Sequence, residues 1–561
     1  MIRRFALAVF VASAVAAAAA SWSEPHRATR GMVVSEHAIA SEIGVAVLKA
    51  GGNAVDAAVA TAFALAVVHP AAGNIGGGGF LLYRPASGEP AAYDFRETAP
   101  AAASAAMFLT DGKYDAAKHH ESYLSVGVPG TVAGLHLAWQ ERGTMPWRRL
   151  VEPAITLARD GFPLSESLAA SLARVLPSMR RHPASMAQFS KSGSPYAPGD
   201  TLVQADLART LERIAADGPA GFYEGETARL IEQDMAAHGG LISRADLKAY
   251  RPERRVPLRG TYRGYDIIAM PPVSSGGTAL IEMLNVLEGF DLASYGWGSS
   301  RHVHVAVEAM RRAYADRARH LGDPAFNPSM PIATLISKEY AASLRATIDL
   351  ERASVSSPSS FDWPPESGET TTFCVVDAAR NAVSLTYTLE AGYGSKIVVA
   401  GAGFLLNNEM GDFNAGPGLT DATGLVGTAP NLAAPGKRML SSMTPTIVAK
   451  DGRLFAAAGA LGGRTIINTV LQALLNVIDF GMNAQEAIDA GRFHHQWLPD
   501  AVVVERHALS PDTLAILTSR GHAFRETGAL SVAEMIVVAP KDGKLTAGVD
   551  ARSVDGAAAG Y

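Results

Sequence analysis

The chain has 561 residues, 48% hydrophobic and 18% charged, with a formal net charge of −5. That composition supports a large core and argues against a disordered chain, and the slight acidity leaves no basic footprint for nucleic acid. The one cysteine, Cys374, excludes an intramolecular disulfide and a thiolate metal cluster. Residues 1–20 open with Arg3-Arg4, continue as an Ala/Val/Phe-rich run and end on small residues ahead of Ser21. This is the pattern of an export signal, expected to be cleaved near Ala18–Ala20; the run is shorter than the roughly 20 residues of a membrane anchor. No later stretch reads as a membrane span, so the mature protein is expected to be free of the membrane, in the periplasm or secreted.

Residues 36–48 and 53–67 carry apolar positions at helical spacing and read as two packed helices broken at Gly51-Gly52. The run GNIGGGGF (73–80) precedes a short strand at 81–83; no Lys-Ser or Lys-Thr comes after it, so it is close backbone packing and not a phosphate loop. A strand over 92–96 ends at Arg96-Glu97. His119-His120-Glu121 lacks the helical spacing of a metal motif and reads as a solvated patch. Residues 125–260 read as mainly helical, 262–269 as a strand, Gly276-Gly277 as a helix start, and 340–352 as the last helix before a polar, proline-bearing segment at 354–368.

The most informative stretch of the chain, ETTTFCVVD at 369–377, comes directly after that segment. Residues 371–377 and 382–388 are rich in Val, Thr, Phe and Tyr around a short polar connection, which predicts a hairpin. Both faces of its first strand are largely apolar, so the sheet is expected to be covered on both sides. A threonine at the mouth of such a strand, after a flexible loop, is either an ordinary β-residue or an N-terminal nucleophile made by cutting the chain, its free α-amine serving as base. Cys374 lies inside the strand and reads as an inert core residue. Further on, 403–406 reads as a strand leading to Asn407-Asn408-Glu409-Met410-Gly411-Asp412, and the Gly/Pro-rich stretch 414–436 is long enough for a lid. Residues 444–450 and 454–459 predict a second hairpin. Gly462-Gly463 then open a helix over 464–480, where free backbone N–H groups make either an oxyanion site or a close-packed turn. His494-His495 would point to opposite faces of a strand and are a poor chelating pair.

Taken together, GGNAVDAAVA, DFRETAP, ESGETTTFCVVD, NAVSLTYTL, GFLLNNEMGDF, KRMLSSMTPTIV, ALGGRTI, RFHHQWLPD and RSVDGAAAGY resemble, in colinear order, the γ-glutamyltransferase (glutathione hydrolase) family. The resemblance implies an α/β protein with the four-layer αββα sandwich of the N-terminal-nucleophile hydrolases. It implies a precursor that cuts itself between Glu369 and Thr370 into a large chain, 21–369, and a small catalytic chain, 370–561, that together form one unit. It implies Thr370 as nucleophile, Thr388 hydrogen-bonding nearby, and Gly462 and Gly463 as oxyanion donors. Arg96, Ser441 and Ser442 would hold the donor's α-carboxylate, and Glu409 and Asp412 its α-ammonium. No cofactor and no metal are implied; the partners are a γ-glutamyl donor such as glutathione and, as acceptor, water, an amino acid or a peptide. The chain departs from the pattern at Glu390, where an asparagine is usual, at Thr372, often histidine, and at Thr423 in the lid, where some bacterial members have tyrosine. With Glu390 beside Glu409 and Asp412, at least one carboxylate is expected to have a raised pKa. Two alternatives remain open: a related amidase on the same scaffold, such as an acylase for β-lactam side chains, and a processed but inactive periplasmic binding protein.

Overall fold

The hairpin around the threonine run lies at the centre of the molecule. In the computed structural model, described for residues 23–356, 370–419 and 428–561, Thr371–Val376 pairs antiparallel with Ala382–Thr388. Residues 1–20, expected to be an export signal, and Glu369 and Thr423 lie outside the described residues. Val375 and Phe373 pack on the helical side of their sheet, whereas Cys374 and Val376 join the core between the sheets. The alternation follows from the two-residue period of a strand, and it explains why both faces are apolar.

This hairpin occupies the middle of a seven-stranded antiparallel sheet in the order Ala557–Gly560, Met32–Ser35, Thr371–Val376, Ala382–Thr388, Gly78–Arg84, Ala91–Asp94, Glu253–Arg255. The second predicted hairpin, Thr446–Lys450 and Arg453–Leu461, sits in another seven-stranded antiparallel sheet, flanked by Val532–Val538 on one side and Tyr265–Ala269 on the other. The two sheets pack face to face. Helices Ala38–Lys49 and Ala54–Val68 cover the first sheet, and Gly276–Leu287 and Thr465–Ile478 cover the second, giving the four layers of an αββα sandwich. Strands from before residue 357 and after residue 369 interleave in both sheets.

Helix Ala54–Val68 is buried along its whole length and starts at a capping box between Asn53 and Asp56. Four sequence expectations need correction. The strand over 262–269 is a hairpin, Leu258–Tyr262 and Tyr265–Ala269, turning at Arg263-Gly264, both at positive φ. The strand before Arg96 is Ala91–Asp94, so Arg96 lies just beyond it. Residues 403–406 form no strand and contribute one bridge, Val398 to Leu405. The last helix before the polar segment is Lys338–Arg345. The glycine run enters the sheet directly, since its strand is Gly78–Arg84: a Cβ on Gly78 would fall 2.5 Å from both Glu97 Oε2 and the Phe95 carbonyl. Among the described residues no helix is long and apolar enough to cross a membrane.

Candidate active site

The first hairpin runs Thr371 opposite Tyr387, so its register carries Thr370 to the level of Thr388 at the open end of the sheet. Thr370 is buried, with 6% of its surface exposed. Thr388 Oγ1 accepts the backbone N–H of Glu390 at 2.9 Å, which helps hold Glu390 at a φ of +79°, a conformation costly for a residue with a Cβ.

Arg96 reaches the same place from the next strands of the sheet. Its backbone N–H donates to Asp94 at 3.0 Å. Its guanidinium is fully buried, donating from Nε to the Met439 carbonyl at 3.2 Å and pairing with both Glu409 and Asp412. These two acids come from one 3₁₀ turn, Glu409–Asp412. The groups read from sequence as gripping opposite ends of a donor thus pair directly with each other. Glu97, which sequence reasoning passed over, lies 3.8 Å from the same guanidinium, and among the described residues neither of its oxygens has a hydrogen-bond partner. Burial pushes its carboxyl up to about 8, against the opposing pull of Arg96. Glu409 is raised well above the usual range: burial is the main cause, Arg96 opposes it, and Glu97, Asp412 and Glu390 add to it. The expected raised carboxylate is therefore present, with burial a larger cause than the crowding of acids.

Ser441 and Ser442 are fixed from behind. Ser275 donates from its N–H and its hydroxyl to the Ser441 carbonyl at 2.8 and 2.6 Å. Arg317, fully buried and not singled out by any motif, donates to Ser442 Oγ at 2.8 Å and to Ser275 Oγ at 2.7 Å. Gly462 and Gly463 turn the chain at positive φ into a helix that begins at Thr465, a little later than expected.

Arg96, Thr370, Thr388, Glu390, Glu409, Asp412, Ser441, Ser442 and Gly463 all line one small cavity of about 20 Å³, together with Met443 and Ile466. Gly462 is adjacent but is not part of the lining. A larger cleft of about 670 Å³ around Arg84, Arg259 and Lys338 shares no residue with it. The cavity joins a threonine hydroxyl, a guanidinium and carboxylates, a set whose chemistry could serve acyl transfer from a zwitterionic donor.

Other candidates divide cleanly. Cys374 is fully buried and its thiol is pushed up by burial, in keeping with an inert residue. His494 contacts Asn468 and Gln496, while His495 contacts Asp500, so the two rings serve different neighbours. The reading of His119-His120 as a solvated patch is wrong: His119 is 1% exposed and contacts the Met410 carbonyl at 3.0 Å, and His120 lies against Glu390. Residues Ala116–His120 form a short helix with Asp115 at its cap, and nothing local in the sequence shows which loop it meets. Among the described residues no group of three or more His, Cys, Asp or Glu could hold a metal ion.

A family model described as Gamma-glutamyltranspeptidase matches residues 40–561. The chain is 49% identical over 545 residues to the glutathione hydrolase proenzyme of Escherichia coli K12, covering 96% of this chain and 93% of that one. It is 39% identical to the acylase ACY 1 proenzyme of Pseudomonas sp. SE83, covering 93% and 92%. Among solved structures, cephalosporin acylase from Bacillus halodurans superposes with a TM-score of 0.85 at 29% identity, covering 96% of this chain and 97% of that one. The architecture is the α/β sandwich of the N-terminal-nucleophile hydrolases, and the chain belongs to the gamma-glutamyltranspeptidase family.

Proposed function

We propose that this protein is a γ-glutamyl hydrolase and transferase that makes its own nucleophile by cutting itself between Glu369 and Thr370, with glutathione and related γ-glutamyl amides as donors. The observation that carries this reading is the convergence of Thr370 with a buried arginine, acidic residues and paired serines on one cavity. In the precursor, the Thr370 hydroxyl attacks the Glu369 carbonyl; the peptide C–N bond breaks, an ester forms, and water opens it to leave a carboxyl on Glu369 and an amine on Thr370. The chains 21–369 and 370–561 then stay together because their strands interleave.

In the mature enzyme the Thr370 amine takes the hydroxyl proton as Oγ attacks the γ-carbonyl. The oxyanion is met by backbone N–H groups at Gly462-Gly463; the amide C–N bond breaks and the proton leaves with the amine. Water, or the amine of an amino acid or peptide, then attacks the ester and frees Thr370. The donor's α-carboxylate exchanges into the Arg96 fork beside Ser441 and Ser442. Its ammonium takes up Glu409 and Asp412, with Thr388 steadying the nucleophile end. Export through residues 1–20 belongs to the same reading.

Electrophoresis, N-terminal sequencing and a chromogenic γ-glutamyl anilide test it together. The purified protein should run as two fragments, the smaller beginning Thr370-Thr371-Thr372, and should release the aniline. Thr370→Ala should remain a single chain with no turnover above background, since alanine has no hydroxyl for either attack. An intact wild-type chain that hydrolyses the anilide would overturn the self-cleavage; a processed chain inert to it would overturn the donor class.

A further inference from the structure

Glu390 places a third acidic side chain on the cavity wall beside Glu409 and Asp412, and its outer side meets an imidazole. His120 Nδ1 lies 3.6 Å from Glu390 Oε1, and Asn408 Nδ2 donates to the other oxygen while also reaching the His120 carbonyl at 3.2 Å. The other ring nitrogen of His120 contacts the Tyr114 hydroxyl at 3.2 Å. The imidazole occupies a space that only a glycine at 411 leaves: a Cβ there would fall 2.5 Å from His120 Nδ1 and 3.4 Å from Glu390 Oε1. The short helix carrying His120 is docked on the acidic turn through His119 and the Met410 carbonyl. His120 keeps 29% of its side chain exposed, so it exchanges protons with solvent from behind the cavity.

We propose that His120 is a positioning residue for donor recognition, a titratable counter-cation that decides how much of the Glu390 charge the donor's ammonium meets. This rests on the reading of the cavity as a γ-glutamyl donor site. With His120 protonated, Glu390 is engaged in an ion pair and the ammonium is held by Glu409 and Asp412 alone. With His120 neutral, the Glu390 charge is released toward the cavity and attracts the ammonium as well. The groups that face the imidazole are Glu390, Tyr114 and His119, with Asp412 and Glu121 further off. Burial lowers the His120 pKa, but Glu390 and then Asp412 and Glu121 outweigh it and raise it overall, so the imidazole keeps its proton to a higher pH than an ordinary histidine.

The experiment is KM for the γ-glutamyl anilide against pH, from about 6 to 8.5, for wild type, His120→Gln, His120→Lys, Glu390→Asn and the double variant Glu390→Asn/His120→Gln. Wild-type KM should fall about threefold to fivefold as pH rises, the scale of a partly exposed ion pair. Compared with wild type at the same pH, His120→Gln should lower KM at the acid end, where wild-type His120 is charged, and His120→Lys should raise it at the alkaline end, where wild-type His120 is neutral. Opposite effects from two replacements are what a merely structural histidine would not give. In the Glu390→Asn background His120→Gln should change nothing. Superimposable wild-type and Gln profiles would overturn the proposal, as would a His120→Gln effect that survives in the Glu390→Asn background. Arg96→Lys, measured alongside, separates the two failures: if it raises KM while the His120 variants are silent, only this inference falls, and if it too is silent the donor reading falls with it.

Discussion

Two buried clusters of acids around arginines serve different ends. One gathers Glu97, Glu390, Glu409 and Asp412 about Arg96 at the end of the threonine hairpin. The other lies between the sheets and gathers Glu36, Glu534 and Asp550 near Arg492 and Arg552. Both raise carboxyl pKa values by burial, so a perturbed pKa alone would have marked both as sites. What separates them is how the cations are used. Arg492 donates to the Ser531 and Ile488 carbonyls, each at 2.7 Å, and to Asp550, and Asp550 also accepts the Ala533 N–H. The two carbonyls and the Ala533 N–H belong to the backbone and cannot leave. Arg96 is also tied to the Met439 carbonyl, but its outer nitrogens pair with Glu409 and Asp412 on a cavity wall, where, under the proposed function, a donor's carboxylate replaces the two acids and its ammonium pairs with them. Exchangeable pairing at a cavity marks a site; pairing locked to backbone marks structure.

The largest expected effect on KM that would break this contrast is on Arg96. Arg96→Lys keeps the charge but loses the planar fork, and a buried charge-assisted pair of this kind carries about 1.5–3 kcal/mol. KM for the γ-glutamyl anilide should therefore rise roughly tenfold to a hundredfold, with kcat less affected because the contact is made before and during acyl transfer. Unchanged kinetics would place Arg96 outside the site.

Arg96 was legible because DFRE sits at a strand end within a colinear set of motifs. Thr370, Ser441-Ser442, Glu409 and Asp412 were legible in the same way, and the two hairpins from their β-branched and aromatic runs. Other features were not legible because they depend on contacts far apart in sequence. His120 meets Glu390 across 270 residues of chain, and Gly411 looks like any loop glycine until its missing Cβ is seen beside the imidazole. Arg317 lies in the last turn of helix Ser300–His320, where an arginine ordinarily reads as a solvated position, yet it fixes Ser442 from within the core. The hairpin at Arg263-Gly264 was missed for a local reason: aromatic and β-branched residues continue on both sides of the turn, so the run looks like one strand.

An intermediate effect sharpens the contrast from the other cluster. Arg492→Lys cannot reach the Ser531 and Ile488 carbonyls and Asp550 together, so it leaves buried acceptors without a donor. The cost should be about 2–4 kcal/mol, seen as a lower thermal midpoint, while KM for the anilide stays at the wild-type value. A KM increase comparable to that of Arg96→Lys would show that the two clusters are coupled and that their division into site and structure is false.

A third expected effect concerns Glu36 and depends on pH. Burial raises this carboxyl from 4.5 to about 7, with Asp550 and Asp555 adding to the rise and hydrogen bonds from Glu534 and Ser553 opposing it. Between those two values the folded protein holds a proton that the unfolded chain has released. Unfolding there releases protons, so stability falls as pH rises: the stabilising contribution is fully present below 4.5 and lost by about 7. Glu534, also raised, extends the loss toward alkaline pH. The shift corresponds to at most about 3.5 kcal/mol at roughly 1.4 kcal/mol per unit. Glu36→Gln is permanently neutral at nearly the same size, so its thermal midpoint should match wild type near pH 5 and exceed it near pH 8. Its kcat/KM should be unchanged, since nothing in that cluster exchanges with a donor. Glu409→Gln, relieving a carboxyl raised in the same way, should also gain stability at high pH but should lose donor affinity. If Glu36→Gln gains nothing at the higher pH, the inter-sheet cluster does not hold its proton; if Glu409→Gln binds donor normally, acid crowding at the cavity is structural as well, and the distinction between the two clusters disappears.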